Sequence, residues 1–196
     1  MTIVINGSGT ITGVSAGGLP NDCITNANIA AGAVTSDSLA SGVGGKVLQV
    51  LQVFKSDTET ISNPTSYTDI SGLSVNITPS STSNKILILG TYMVMGDTNT
   101  QGYVGLFRDS TQIGLGDANS SRVRASTQAY PNQTNQGTNS SFCFLDSPSS
   151  TSQITYKLRT RNQGSGNVYV NRSQGWTNSA QSSTNASTIT VMEIVA

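Results

Sequence analysis

The sequence contains no histidine, and that absence alone removes a large group of catalytic designs. Without an imidazole there is no Ser-His-Asp or Cys-His arrangement to activate a nucleophile and no histidine-based zinc site. Cysteine is nearly absent as well. Cys23 and Cys143 lie far apart in the chain, cannot form a four-thiolate site, and read as two free thiols of a protein folded in a reducing compartment. Glutamate occurs only as Glu59 and Glu193, and charged residues of both signs make up just 10% of the chain. Ten basic and ten acidic side chains cancel, so no net field draws the protein to phosphate backbones or anionic lipid, and nucleic acid is not an expected partner. Long apolar runs are missing too. The longest nearly apolar stretch, Ile86 to Met95, is about half the roughly 20 residues that a membrane helix needs, so membrane insertion is not expected. The opening Met1-Thr2-Ile3-Val4-Ile5-Asn6-Gly7 has no basic residue and only a short apolar run, unlike a secretory signal, and synthesis in the cytoplasm is expected.

What is present is Ser, Thr, Asn, Gln and Gly, which form roughly half of the chain, a mixture unlike that of helical enzymes. Thr, Val, Ile and Tyr suit pleated, half-buried surfaces, so the composition predicts strands joined by polar turns. Compact apolar runs such as Ile86-Leu87-Ile88-Leu89 and Ile189-Thr190-Val191-Met192 argue against disorder.

Residues 1–45 are poor in aromatics and contain a tandem repeat of period ten. Ile24-Thr25-Asn26-Ala27-Asn28-Ile29-Ala30-Ala31-Gly32-Ala33 aligns without gaps to Val34-Thr35-Ser36-Asp37-Ser38-Leu39-Ala40-Ser41-Gly42-Val43. A unit with so little apolar surface cannot fold alone, because ordering each residue costs about 1–2 kcal/mol. Three copies wound around one axis would place Ile24, Ile29, Val34 and Leu39 in a shared seam, making a trimeric neck. The alternative is a polar linker with a chance repeat.

Gly44-Gly45 closes the repeat, and Lys46-Val47-Leu48-Gln49-Val50-Leu51-Gln52-Val53-Phe54 opens a new texture that predicts a buried strand, so the domain boundary falls between 45 and 46. Beyond it, strand-like runs alternate with turn clusters: 67–70, 73–78, 85–95, 103–108, 112–115, 141–145, 153–161, 167–171 and 187–195. That spacing predicts an antiparallel β-sandwich over 46–196. Arg108-Asp109-Ser110-Thr111 and Asn162-Gln163-Gly164-Ser165-Gly166 read as hairpin turns, and 96–101 and 130–138 as longer loops.

Three segments carry a resemblance. Gly9-Thr10-Ile11-Thr12-Gly13-Val14-Ser15-Ala16-Gly17-Gly18-Leu19-Pro20, the Ala33-Val34-Thr35-Ser36 and Leu39-Ala40-Ser41-Gly42-Val43 parts of the repeat, and Lys46-Val47-Leu48-Gln49-Val50 with the closing Thr188-Ile189-Thr190-Val191-Met192-Glu193-Ile194 resemble short tail fibre and other virion proteins of tailed bacteriophages, especially those of marine bacteria and cyanobacteria. The resemblance implies a homotrimer in the virion, docked on other tail or capsid proteins by its N-terminus. It also implies an all-β architecture with an extended attachment and neck segment, followed by a jelly-roll knob similar to C1q and tumour-necrosis-factor domains. Such a knob would bind a host-surface glycan or protein. A structural capsid or tail decoration protein without receptor binding is the alternative.

Chemical motifs are few. Asp97-Thr98-Asn99-Thr100-Gln101-Gly102 opens like a calcium loop, but Arg108 stands where the bidentate Glu belongs. Gly44-Gly45-Lys46 has Ala40 and Val47 where a P-loop needs Gly and a hydroxyl. No metal or other cofactor is expected, nor enzymatic activity. The enzymatic alternative is polysaccharide cleavage, which needs only two carboxylates about 5–10 Å apart, with Asp97, Asp109, Asp117 and Asp146 as loop-placed candidates. The opposing reading is Asp serving turn geometry. For ligand binding the candidates are Trp176, the only Trp, with Tyr130 and Tyr103, whose rings suit sugar stacking or core packing. Arg122 and Arg124, like Arg159 and Arg161, are two apart and would share a strand face, able to grip an anion or simply to stand in water.

Overall fold

The computed structural model describes residues 29–34, 46–98, 100–129, 137, 139–175 and 183–196. The chain divides into two units, Met1–Gly45 and Lys46–Ala196. Of the expected seam residues, Ile24 and Leu39 lie outside the described residues. Ile29 and Val34 bracket a single turn in which the Ala33 N–H donates to the Ala30 carbonyl at 2.9 Å and Gly32 takes a φ of 78°.

The second unit is all-β and antiparallel among the described residues. Its strands are β1 Val47–Lys55, β2 Glu59–Ile61, β3 Thr68–Ile77, β4 Lys85–Gly96, β5 Gly102–Arg108, β6 Thr111–Ile113, β7 Thr127–Ala129, β8 Asn139–Asp146, β9 Ile154–Asn162, β10 Val168–Val170 and β11 Ser187–Ile194. One sheet runs β1-β11-β4-β10-β2, with β8 also paired to β4; the other runs β3-β9-β5-β6, with β7 also paired to β5. The sheets face each other across one core, a sandwich. Alternation along each strand explains this: Ile154, Tyr156 and Leu158 of β9 point inward while Thr155, Lys157, Arg159 and Arg161 point out. Ile86 and Ile88 of β4 and Ile189 and Val191 of β11 meet them from the opposite sheet.

Several local expectations need correction. The segments 67–70 and 73–78 form one strand, β3, whose pairing slips between Asp69 and Ser74 around Gly72 at a φ of 74°. β2 and β7, three residues each, were not expected from the sequence. The Asp109-Ser110 turn does close the β5–β6 hairpin, with Arg108 paired to Thr111 and Asp109 at a φ of 53°. The 162–166 segment is not a hairpin: it carries the chain from β9 in one sheet to β10 in the other, with Gly164 and Gly166 at φ of 93° and 118°. β1 is not a buried strand either. It forms one edge of its sheet, and Val47, Leu48, Val50, Leu51 and Phe54 are exposed.

Gly96 shows where the fold is least forgiving. A Cβ there would lie 2.3 Å from the Thr100 carbonyl oxygen, a backbone atom that cannot swing aside. Gly96→Ala is therefore expected to cost about 1–3 kcal/mol through a forced backbone shift. Thermal unfolding measures it, and an unchanged melting temperature would contradict the close approach.

Candidate interaction surfaces

Two outer sheet faces, one apolar and one aromatic and cationic, carry the side chains that the core does not need.

The first belongs to the sheet containing β1, β11, β4 and β8. Registers align Val50 with Met192, Met192 with Leu87, and Leu87 with Leu145, so one apolar row crosses four strands. At about 4.8 Å between strands this row is roughly 14 Å wide. Leu89 and Cys143 are paired in the next row, and Phe54 stands beside Thr188 at the β1 edge. None of these belongs to the core cluster. Val50 is 55% exposed, Phe54 63% and Leu145 49%, and the Cys143 thiol is free and open to solvent. Soluble proteins seldom leave so contiguous an apolar patch uncovered, and an apolar edge strand is a template for pairing.

The second face lies outside the β3-β9-β5-β6 sheet. Gly105 of β5 leaves a dent: a Cβ there would sit 2.7 Å from the Gln112 amide nitrogen and 3.1 Å from both Tyr67 and Phe107 ring carbons. The Tyr67 ring meets Phe107 edge-on, centroids 5.3 Å apart, and the Arg159 guanidinium stands 4.9 Å from the Phe107 ring centroid. Tyr67 donates its hydroxyl to the Arg124 carbonyl at 2.9 Å, and the Gln112 amide donates to the same oxygen at 3.1 Å. Burial pushes the Tyr67 phenol up, opposed by the Gln112 hydrogen bond and the nearby Arg161 charge. Asp69 binds both Lys157, at 2.9 Å, and Arg159. Burial would raise the Asp69 pKa, but these two cations hold it below the usual carboxylate value.

The sequence candidates are distributed unevenly over these surfaces. Trp176 and Tyr130 lie outside the described residues. Tyr103 is only 9% exposed, because β5 is covered on both faces. Arg122 and Arg124 do not share a strand: both sit in the loop between β6 and β7, where the Arg124 Nε donates to the Gly116 carbonyl at 2.7 Å. Arg159 and Arg161 do share the outer face of β9, and Arg161 is paired across the sheet with Tyr103. Tyr67, the centre of the cluster, was missed as a site residue; the glycine inside β5 was the available signal, since strand glycines often mark close approach.

The carboxylate candidates serve the fold. Asp146 is not a loop residue: it ends β8, is buried, and accepts both oxygens' worth of contact from Arg108 Nη1, at 3.0 and 2.9 Å, plus the Tyr156 hydroxyl at 2.6 Å. Asp109 accepts the Thr155 N–H at 2.9 Å. Asp97 accepts the Asn167 N–H at 2.6 Å and the Tyr169 hydroxyl at 2.7 Å. Asp117 lies exposed in the β6–β7 loop. Among the described residues no three His, Cys, Asp or Glu side chains cluster as a metal site would require, and no helix is long and apolar enough to cross a membrane.

The class defined to this point is an antiparallel β-sandwich with an uncovered apolar sheet face. No protein-family model matches the chain, and no curated protein matches it. Solved structures similar to it include that of the infectious bursal disease virus Gx strain, at 14% identity over 76% of this chain and 37% of that one, with a TM-score of 0.38. The VP2 subviral particle of infectious bursal disease virus is another, at 14% identity over 76% and 38%, with a TM-score of 0.37. The chain spans well under half the length of these proteins.

Proposed function

We propose that the chain is a homotrimeric, non-enzymatic virion fibre protein in which residues 1–45 attach and trimerise while the sandwich of 46–196, a jelly-roll knob, recognises the host cell surface. The observation that carries this reading is the Val50–Met192–Leu87–Leu145 row. The occupant it fits is another copy of the same chain, for two reasons. The face is continuous with β1, an apolar edge strand that follows Gly44-Gly45 and the decapeptide repeat directly in sequence. The repeat itself requires identical partners to bury its seam. The resemblance of the N-terminal segments to tailed-phage fibre proteins supports attachment to a virion.

Sedimentation equilibrium of the full chain is expected to give three copies. Because the neck can hold copies together after the face is damaged, Cys143 supplies a second readout. In the trimer its alkylation, followed peptide by peptide, is slow; in Leu87→Lys/Met192→Lys it is at least tenfold faster. A monomeric wild-type chain would sink the reading, and so would a Cys143 that reacts equally fast in both. Adsorption to host cells, and competition with phage adsorption, test the recognition step; failure of both favours a decoration protein. Oligosaccharide release from host polysaccharide would overturn the non-enzymatic assignment.

A further inference from the structure

We propose that the outer face of the β3-β9-β5-β6 sheet around Tyr67 binds a carboxylate-bearing saccharide, gripped by Arg124 and Arg161 and stacked on the Tyr67 ring. This rests on the reading of the sandwich as a surface-binding knob and names its ligand class.

The charges make the first part of the case. Among the described residues, Lys55 is paired with Asp57 and Glu59, Arg108 with Asp146, and Lys157 and Arg159 with Asp69. Arg172 lies over the Tyr169 ring and donates to the Thr60 hydroxyl. Arg122, Arg124 and Arg161, like Lys46 and Lys85 in the other sheet's region, have no carboxylate partner among the described residues. The Arg124 and Arg161 Nε groups donate only to main-chain carbonyls, of Gly116 at 2.7 Å and Asn162 at 3.3 Å. Both sit by Tyr67: its hydroxyl donates to the Arg124 carbonyl at 2.9 Å, and its neighbour Thr68 on β3 pairs with Thr160, the neighbour of Arg161 on β9. Asp69 is already saturated by Lys157 and Arg159, and Asp117, next to Gly116, forms no ion pair with Arg124 among the described residues. Lys157, Arg159 and Arg161 thus share the outer face of β9, where Asp69 pairs the first two, and Arg124 is tied to the Tyr67 hydroxyl through its carbonyl.

The neighbours decide what anion fits. Guanidinium forks match carboxylates and phosphates alike in two-point contact, so the uncharged neighbours must discriminate. Beside the guanidinium groups this surface presents a half-buried phenol ring, the Gln112 amide and, paired with Tyr103, the exposed Gln128, groups that a bare phosphate would not use. A ring face beside amides and guanidinium groups suits a sugar that has an apolar face, hydroxyls and an acid.

The test is titration calorimetry of the full chain with tetragalacturonate and with sialyllactose, against maltotetraose and inorganic phosphate. At least one acidic sugar is expected to bind, and to weaken as salt rises, since exposed charges are screened over about 8–10 Å near physiological ionic strength. Arg124→Gln/Arg161→Gln is expected to lose affinity at least tenfold with unchanged melting temperature. Arg124→Lys keeps the charge but not the fork and loses an intermediate amount. The proposal is overturned if neither acidic sugar binds, if the double variant binds as tightly as the wild type, or if phosphate competes as well as the sugar acid. Host-cell adsorption separates the two readings: wild-type adsorption that the double variant retains removes this site and leaves the knob standing. Acidic-sugar binding without any adsorption does the reverse.

Discussion

Asp146→Ala is expected to destabilise the sandwich by about 3 kcal/mol, within the range for breaking one partner of a buried ion pair. The carboxylate is 7% exposed and joins three elements: it ends β8, takes Arg108 of β5 in two contacts, and receives the hydroxyl of Tyr156, which is fully buried in β9. Burial first, and then the hydrogen bond to the anionic Asp146, push the Tyr156 phenol far above its usual value, so it stays a donor throughout the accessible pH range. Truncation would strand a half-buried guanidinium and a buried hydroxyl together, and unsatisfied groups of this kind carry the full desolvation cost. Tyr156→Phe removes only the hydroxyl and should cost about 1 kcal/mol, a typical net hydrogen bond. Because the two residues share one network, the double variant Asp146→Ala/Tyr156→Phe should be less damaging than the sum. Denaturant midpoints at one fixed protein concentration measure all three, since association would otherwise shift apparent stability. A loss below about 0.5 kcal/mol for Asp146→Ala, the ordinary range for surface changes, would contradict this role.

That network also bears on polysaccharide cleavage. A glycosidase carboxylate must be open to the scissile bond, yet Asp146 is enclosed by Arg108 and Tyr156, while Asp97 and Asp109 hold the 167 and 155 backbone N–H groups. Of those candidates, Asp117 alone is exposed and makes no side-chain hydrogen bond or ion pair among the described residues.

Strand alternation made the inner half of the fold readable. Ile154-Thr155-Tyr156-Lys157-Leu158-Arg159 writes one buried and one solvated face directly, and the β5–β6 hairpin is encoded by its Asp109-Ser110 turn. The failures have physical causes. β2 and β7 are three residues long and exist only because β10 and β5 offer edges to pair with, which local sequence cannot express. Tyr103-Val104-Gly105-Leu106-Phe107 does not alternate because the Tyr67 ring packs on its outer side against Gly105 and Phe107, and Tyr103 is largely buried as well. Val47-Leu48-Gln49-Val50-Leu51 looks buried because it is apolar on both faces. In the single chain it is an exposed edge, so the residues signal burial while the sandwich does not supply it. The contact between residues 38 apart, Arg108 with Asp146, depends on the finished topology.

Glu193 should make the protein acid-labile in a defined window. It is 1% exposed near the end of β11 and accepts from Gln49 Nε2 at 2.6 Å, the Ser80 N–H at 2.6 Å, the Ser80 hydroxyl at 2.7 Å and Asn84 Nδ2 at 2.7 Å. Burial alone would raise its pKa, but the hydrogen bonds from Asn84, Gln49 and Ser80 outweigh it and hold the carboxyl at about 2, against 4.5 for an ordinary Glu. A carboxylate more acidic when folded stabilises the fold fully above its unfolded pKa, and the contribution fades as pH falls through the window from 4.5 toward 2. At roughly 1.4 kcal/mol per pKa unit this is about 3 kcal/mol at neutral pH. Glu193→Gln would set an amide N–H₂ against donors that need an acceptor, so its deficit should be about 2–3 kcal/mol at neutral pH, the cost of an unsatisfied buried polar group. The deficit should narrow in acid as the wild-type carboxyl takes up its own proton. Denaturant midpoints across that window give the result; parallel pH profiles for the two proteins would refute the assignment. The consequence extends to the apolar face, because Gln49 sits beside Val50 on β1: protonating Glu193 weakens one side-chain tie of the edge strand on which the proposed association depends, while its main-chain ladder to β11 remains.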